Sequence, residues 1–395
     1  MLSRMKFEIE PLVAEILDQL PASVWSSKTI TFFDPAIGGG QFVRAIEQRL
    51  RDKGHSDANI RSRVFGFEDS NLHIRFAVNK HKLVGQYVKM TYTDFFNLNN
   101  SMKFDVIIGN PPYQDSDDSG GALWAKFANK AFNDLAIDDG YIAMVHPPSF
   151  IGKHLSSGKG KSDYTVFANN QIDQLHILDD INRSKYFEGV GTRICWYVAR
   201  KADNSKLTKI IGYRGNSTFE FDENFSKVTF LPNHIDKVSM SIHNKLISVK
   251  TLQFKQKREL HYFSMKKRNE VSDIETNTFK FKSYFSHKIT RFANFKFSDY
   301  DKIKVMVPQT STVEKSFVDS NCNVSEDLFY VICNSKKEAR LIQDYLKSSL
   351  VKYIGKNYRP GRNLGSLLSA NVIPDPTQTI KWTQEEIDYI ESNVK

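Results

Sequence analysis

Hydrophobic and polar positions in the first half of the chain fall into alternating short and long patterns. Compact apolar runs occupy Thr29 to Phe33, Val64 to Phe67, Tyr87 to Tyr92 and Phe104 to Ile108, each closing on a turn-forming or acidic residue. Between them lie longer stretches with helical spacing, the first running through Leu50. Runs of this length that are apolar at nearly every position read as strands buried on both faces, and strands alternating with helices predict a parallel α/β sheet. Downstream, Ala122 to Leu135 places Leu123, Phe127, Ala131 and Leu135 at four-residue steps, which predicts one amphipathic helix. Asp138-Asp139-Gly140 then turns into a strand at Tyr141 to Val145, and Gln174 to Leu178 and Arg193 to Ala199 supply two more. Phe7 to Leu20 is an amphipathic segment ahead of the first strand. The second half mixes short aromatic strands with polar helices, and Thr383-Gln384-Glu385-Glu386 forms a capping box for a last helix. The polar stretch Lys201 to Lys206 sets the expected boundary, giving domains 1–200 and 201–395.

Candidate chemistry gathers at the ends of the first four strands, the edge where open α/β sheets bind ligands. After the first strand comes Asp34-Pro35-Ala36-Ile37-Gly38-Gly39-Gly40-Gln41-Phe42. Its glycines permit positive φ and close approach of backbone to a ligand. Their spacing is neither the dinucleotide Gly-x-Gly-x-x-Gly nor a Walker loop. The second strand ends at Glu68, a carboxylate placed to accept both hydroxyls of a ribose, with Asp69 as its neighbouring competitor. The third leads to Thr93-Asp94-Phe95-Phe96 and the fourth to Gly109-Asn110-Pro111-Pro112-Tyr113. Two prolines stiffen this last loop and remove two N–H donors, so its carbonyls stay free as acceptors. An exocyclic amine on a nucleobase is a weak nucleophile because its lone pair is delocalised into the ring. Two acceptors, the Asn110 side-chain oxygen and the Pro111 carbonyl, would localise that pair, while Tyr113 stacks on the base at roughly 1–3 kcal/mol. Such catalysis works by positioning and electrostatics. His146 ends a strand, but this chemistry needs no imidazole, and a structural role is expected for it.

Asn110-Pro111-Pro112-Tyr113 resembles the catalytic motif of S-adenosylmethionine-dependent amino-methyltransferases, above all the adenine-N6 DNA methyltransferases. Asp34, Pro35, Ala36, Gly38, Gly40 and Phe42 are similar to their first motif, which contacts the methionine part of the cofactor; the family often has Cys at the position of Ile37 and Ser at Gly39. The resemblance implies that Glu68 binds the ribose, that Asp94 binds the adenine amino group and that Phe95 packs against the adenine ring. It also implies a Rossmann-like sheet of seven strands, one antiparallel, with helices on both faces and a mixed α+β target-recognition region behind it. The motif order looks like the gamma group of restriction-modification methyltransferases. In that group the target adenine is flipped out of duplex DNA, and Phe7 to Leu20 lies where another cofactor motif falls, without a residue match. Asn at the first motif position resembles the adenine group more than the N4-cytosine group.

Charge sharpens the picture. The chain of 395 residues carries a net +10, yet residues 1–200 hold 23 Lys/Arg against 23 Asp/Glu while 201–300 hold 19 against 10. Within that basic segment Lys255, Lys257, Arg258, Lys266, Lys267 and Arg268 alternate with Phe254, Tyr262 and Phe263, a pattern suited to nucleic-acid phosphates. The turn Asn357 to Asn363 adds Arg359 and Arg362 as candidates for a guanine edge. Cys195, Cys322 and Cys333 are unclustered, which suits a reducing cytoplasm and points to neither a disulfide frame nor a metal site. The start of the chain is unlike a signal peptide, and no run of about 18 apolar residues predicts a membrane span. A bacterial or phage-encoded cytoplasmic enzyme is expected, with double-stranded DNA as partner.

Other readings share parts of this pattern. The amine could belong to RNA, to cytosine N4 or to a protein glutamine, although the glutamine enzymes carry a helical domain for which the 33 residues before Asp34 leave no room. A non-catalytic DNA-binding scaffold would keep the fold, but has no need of Asn110, Tyr113, Glu68 and Asp94 together. No Asp…Glu-x-Lys arrangement is persuasive, so cleavage would fall to a cognate restriction endonuclease or another subunit.

Overall fold

The computed structural model describes residues 10–98, 102–114, 122–151, 165–187, 189–228, 230–256, 262–358, 364–369 and 371–394. The chain packs as two compact units, 1–229 and 230–395. The first is built on nine strands: β1 (Phe32–Asp34), β2 (Val64–Glu68), β3 (Gln86–Lys89), β4 (Phe104–Gly109), β5 (Ala136–His146), β6 (Asn170–Ile177), β7 (Cys195–Asp203), β8 (Thr208–Arg214) and β9 (Ser217–Glu223). They form one sheet in the order β3-β2-β1-β4-β5-β7-β6-β8-β9. Strands β1 to β5 run parallel, and β7 runs antiparallel between β5 and β6. This α/β core of seven strands is the Rossmann-like methyltransferase sheet implied by the resemblance. The hairpin β8–β9 extends it, with β8 parallel to β6.

That extension moves the seam. Lys201 to Lys206 is no linker: it carries the chain out of β7 into β8, whose Ile210 and Ile211 are buried beside Leu175 and His176. A polar connection between sheet strands looks like a linker in sequence because both are solvated. The division by packing therefore comes at 229/230.

Side-chain alternation explains how the sheet is covered. Phe32 joins one core with Leu12, Val13, Ile16 and Leu17 of the helix Glu10–Asp18 and with Phe42, Ile46 and Leu50 of the helix Gln41–Asp52. Phe33, the next residue, points the opposite way and stacks on Phe104 at 4.5 Å and Phe95 at 6.2 Å. Both faces of β4 are thus closed, and Val106, Ile107 and Ile108 are wholly buried. The helix expected over 122–135 splits into an α-helix, Leu123–Lys130, and a π-helical turn, Ala131–Leu135.

The second unit holds an antiparallel three-stranded sheet (Phe317–Asp319, Ile303–Pro308 and Leu328–Cys333) beside the helices Lys336–Leu346 and Ser349–Asn357, whose apolar sides share its core. A second, four-stranded sheet includes the hairpin Phe281–Tyr284 and Thr290–Ala293. The capping box at Thr383 is formed on both sides and opens the helix Gln384–Ser392. Among the described residues no helix is long and apolar enough to cross a membrane.

Candidate active site

Strand order decides which of the sequence signals meet. Because β3, β2, β1 and β4 lie side by side, their carboxyl ends bring Asp94, Glu68, Asp34 and Asn110 to one edge in that spatial order. Neighbouring strands are about 4.8 Å apart, so the four signals span one small-molecule length.

The glycine turn crosses the middle of this edge. Gly38 and Gly40 take φ of +48° and +83°, a conformation that L side chains resist. A Cβ at Gly38 would meet nothing nearer than the Ala36 carbonyl at 3.9 Å, so space opens in front of the turn. The turn is tied on three sides. Gly40 N donates to Ile37 O at 2.7 Å, Ile37 N to Phe67 O at 3.0 Å, and Gly38 N to Glu68 Oε2 at 2.9 Å. His81 adds a contact from its Nε2 to the Gly39 carbonyl at 3.1 Å. Phe42, the second residue of the following helix, is buried in the core that the helix shares with β1.

Asp34 is buried at the end of β1 and accepts from Ala36 N at 3.0 Å. Burial pushes its carboxyl up to about 7; the Ala36 hydrogen bond opposes that rise and the nearby Glu68 adds to it. Gly109 makes the approach of β4 possible, since a Cβ there would sit 2.6 Å from Asp34 Oδ1. Glu68 is buried too, and its pKa is raised by that burial. Its Oε1 accepts from Ser70 N at 3.3 Å and lies 3.2 Å from His73 Nδ1.

Asp94 is exposed in the first turn of the helix Tyr92–Asn97, bound to the capping Thr91 hydroxyl at 2.7 Å. Phe95 is buried and stacks on Phe67 at 4.5 Å, within a cluster that includes Phe33, Phe96 and Phe127. In the motif loop Pro111 is buried and Pro112 half-buried. Asn110 Oδ1 is buried and has no hydrogen-bond partner among the described residues, and the same holds for the Tyr113 hydroxyl. A buried carbonyl oxygen left unpaired is costly. The Tyr113 ring rests against the sheet core, and burial raises its hydroxyl pKa.

His146 is fully buried, stacked on Trp124 at 3.9 Å, with Nδ1 2.9 Å from the Pro147 carbonyl; burial lowers its pKa to about 3. It is a neutral core ring. Sequence reasoning missed His73 and His81, which contact Glu68 and the glycine turn. A histidine three residues beyond the helix-capping Ser70 is a readable cue for His73; for His81 nothing short of the fold serves.

The basic candidates lie in the second unit. Lys255 is exposed and its backbone bridges to Tyr330. Lys266 and Lys267 are exposed in the last turn of the helix Tyr262–Lys267. Arg268 forks onto Glu270 at 2.7 and 2.9 Å, so its charge is already matched. Lys257, Arg258, Arg359 and Arg362 lie outside the described residues.

The first unit is a doubly wound α/β sheet with a polar loop at the end of its fourth strand. Comparison with known proteins adds that residues 56–187, from before β2 to beyond β6, match the Eco57I restriction-modification methylase family. No curated protein matches the chain. Among solved structures, a modification subunit of a putative type I restriction enzyme from Vibrio vulnificus YJ016 is 13% identical, with 62% of this chain and 53% of that one covered and a TM-score of 0.41. A putative class I S-adenosylmethionine-dependent methyltransferase from Listeria monocytogenes is 18% identical, covering 50% and 60% with a TM-score of 0.36. The type IIL restriction-modification enzyme MmeI, solved with DNA, is 12% identical, covering 98% and 73% with a TM-score of 0.40. The chain spans just over half the length of the first two.

Proposed function

We propose that this protein is a DNA methyltransferase that uses S-adenosylmethionine and modifies the N6 amine of adenine in duplex DNA. The observation that carries the reading is the orphaned, buried Asn110 Oδ1 at the carboxyl edge of β4. The residues present fit the cofactor: a glycine turn with open space before it and a buried carboxylate at the end of β2. Asp34, Gly38 and Gly40 would hold its methionine part, Glu68 its ribose and Asp94 its adenine amino group. When bound, S-adenosylmethionine supplies an electrophilic methyl group on a sulfonium.

Asn110 Oδ1 and the Pro111 carbonyl accept the two N–H bonds of the target amine and localise its lone pair toward the methyl. Proline rigidity holds both acceptors in place before the amine arrives, which is where the rate advantage arises. The target base leaves the duplex stack at a cost of a few kcal/mol. The basic second unit holds the DNA backbone. A cognate restriction endonuclease or another subunit would complete a restriction-modification pair.

The test is transfer of labelled methyl to duplex DNA, with structured RNA and bulk protein in parallel, followed by nucleoside analysis. N6-methyladenine from DNA alone is expected. Label in N4-methylcytosine, in RNA or in protein would replace the substrate assignment. Asn110→Ala is expected to lower transfer by about a hundredfold or more while cofactor affinity is retained; near-normal turnover would remove Asn110 from the mechanism.

A further inference from the structure

We propose that His73 is a positioning residue for the nucleoside part of the cofactor: its ring nitrogen fixes the Glu68 carboxylate in the orientation that accepts the ribose hydroxyls. The inference rests on the reading of this edge as an S-adenosylmethionine site. Glu68 has a side chain only 4% exposed, and its oxygens meet Gly38, Ser70 and His73, with the Asp69 side chain hydrogen-bonded to it as well. Gly38 N takes Oε2 at 2.9 Å, Ser70 N takes Oε1 at 3.3 Å, and His73 Nδ1 lies 3.2 Å from the same Oε1. Two of these donors are backbone amides, fixed by the glycine turn and by the start of the helix Asn71–His81. His73 contributes a side chain, as Asp69 does, so it is a contact that mutation can remove without altering the backbone.

Its location suits the task. His73 is 46% exposed at its side chain, so it stands at the border between the buried carboxylate and the open side of the edge. Its backbone N–H is held by the Ser70 hydroxyl at 3.4 Å, which sets the helix turn that aims the ring. A carboxylate pinned at both oxygens loses little rotamer freedom when a ligand binds, and that saved entropy appears as affinity.

The same contact acts on charge. Burial raises the Glu68 pKa, Asp69 raises it further, and the hydrogen bonds from Gly38 and His73 lower it. The titratable groups facing Glu68 are Asp34 from β1, Asp69 beside it, His73 from the following helix and Tyr92 from the helix after β3. Without His73 the carboxyl stays protonated to higher pH, and a protonated acid is a poorer acceptor for a diol.

The experiment measures binding of S-adenosylhomocysteine and of its 2′-deoxyribose counterpart to the full chain by calorimetry, between pH 5.5 and 8. Wild type is expected to prefer the intact ribose. His73→Ala should weaken S-adenosylhomocysteine about fivefold at neutral pH, more at pH 5.5 than at pH 8, and should erase the preference for the 2′-hydroxyl. His73→Asn, which keeps a short side-chain donor, should restore both. An equal loss for the two compounds, or a loss independent of pH, would make His73 a packing residue and overturn the proposal. Unchanged binding by His73→Ala would overturn it as well. If wild type binds neither compound, the cofactor reading fails with it, a result distinct from the first two.

Discussion

Asp34 shows how one position can serve a site and burden the fold together. Its folded-state carboxyl is raised from 3.8 to about 7 by burial, so the folded protein favours the protonated form. That contribution is complete below pH 3.8 and is lost as pH rises through about 7. Asp34→Asn keeps the volume without the charge. Its stability relative to wild type, from urea unfolding at a series of pH values, should improve by a few kcal/mol between pH 4 and 8, since one pKa unit is about 1.4 kcal/mol. A difference constant with pH would mean that Asp34 titrates normally. Gly109 is the complementary case. Gly109→Ala would place a Cβ 2.6 Å from Asp34 Oδ1, and separating β1 from β4 should cost about 1–3 kcal/mol. Thermal unfolding reads that cost, and cofactor titration should show weaker binding in the same variant.

At the scale of elements, buried carboxylates act as ties between strands and helices. Glu47, on the helix Gln41–Asp52, is wholly buried and accepts from Val84 N, Gly85 N, the Tyr87 hydroxyl and Arg51 at 2.6 to 3.0 Å. It thereby closes the start of β3, an edge strand with few buried side chains of its own. Glu47→Ala should destabilise by about 3 kcal/mol or more, with hydrogen exchange at Gln86 to Lys89 rising ahead of the rest of the sheet. Asp179 ties the other end in the same manner, accepting from Asn182 N and from Gly215 N in the β8–β9 turn, both at 2.7 Å. Side-chain spacing cannot report such ties, because the partners in β3, the segment before it and the β8–β9 turn are 36 to 40 residues away in the chain.

For the whole molecule, charge is partitioned by unit. Residues 230–395 carry 27 Lys/Arg against 18 Asp/Glu, while 1–229 are nearly balanced at 28 against 27. The candidate site thus belongs to a near-neutral unit and the excess cation to the other. Duplex DNA binding by the full chain should fall about a hundredfold between 50 and 200 mM salt, as roughly four phosphate contacts require. Fluorescence anisotropy over that range checks it. A flat response would assign the basic unit to something other than the backbone of DNA.

Amino-acid order alone determined the succession of strand, turn and helix in the first unit, and with it the four polar signals at strand ends. Those features are local: buried parallel strands are apolar throughout, and turns need Gly, Pro, Asp or Asn. It also foretold the last capping box, because a cap involves four consecutive residues. Tertiary structure decided the rest. The insertion of β7 between β5 and β6, the β8–β9 extension beyond a polar connection, and the division at 229/230 depend on pairings distant in sequence. The partners of Glu68, the crowding at Gly109 and the orphaned oxygen of Asn110 depend on which side chains the sheet brings together. Spacing along a chain records periodicity; burial and hydrogen bonding between remote segments exist only once the chain has closed on itself.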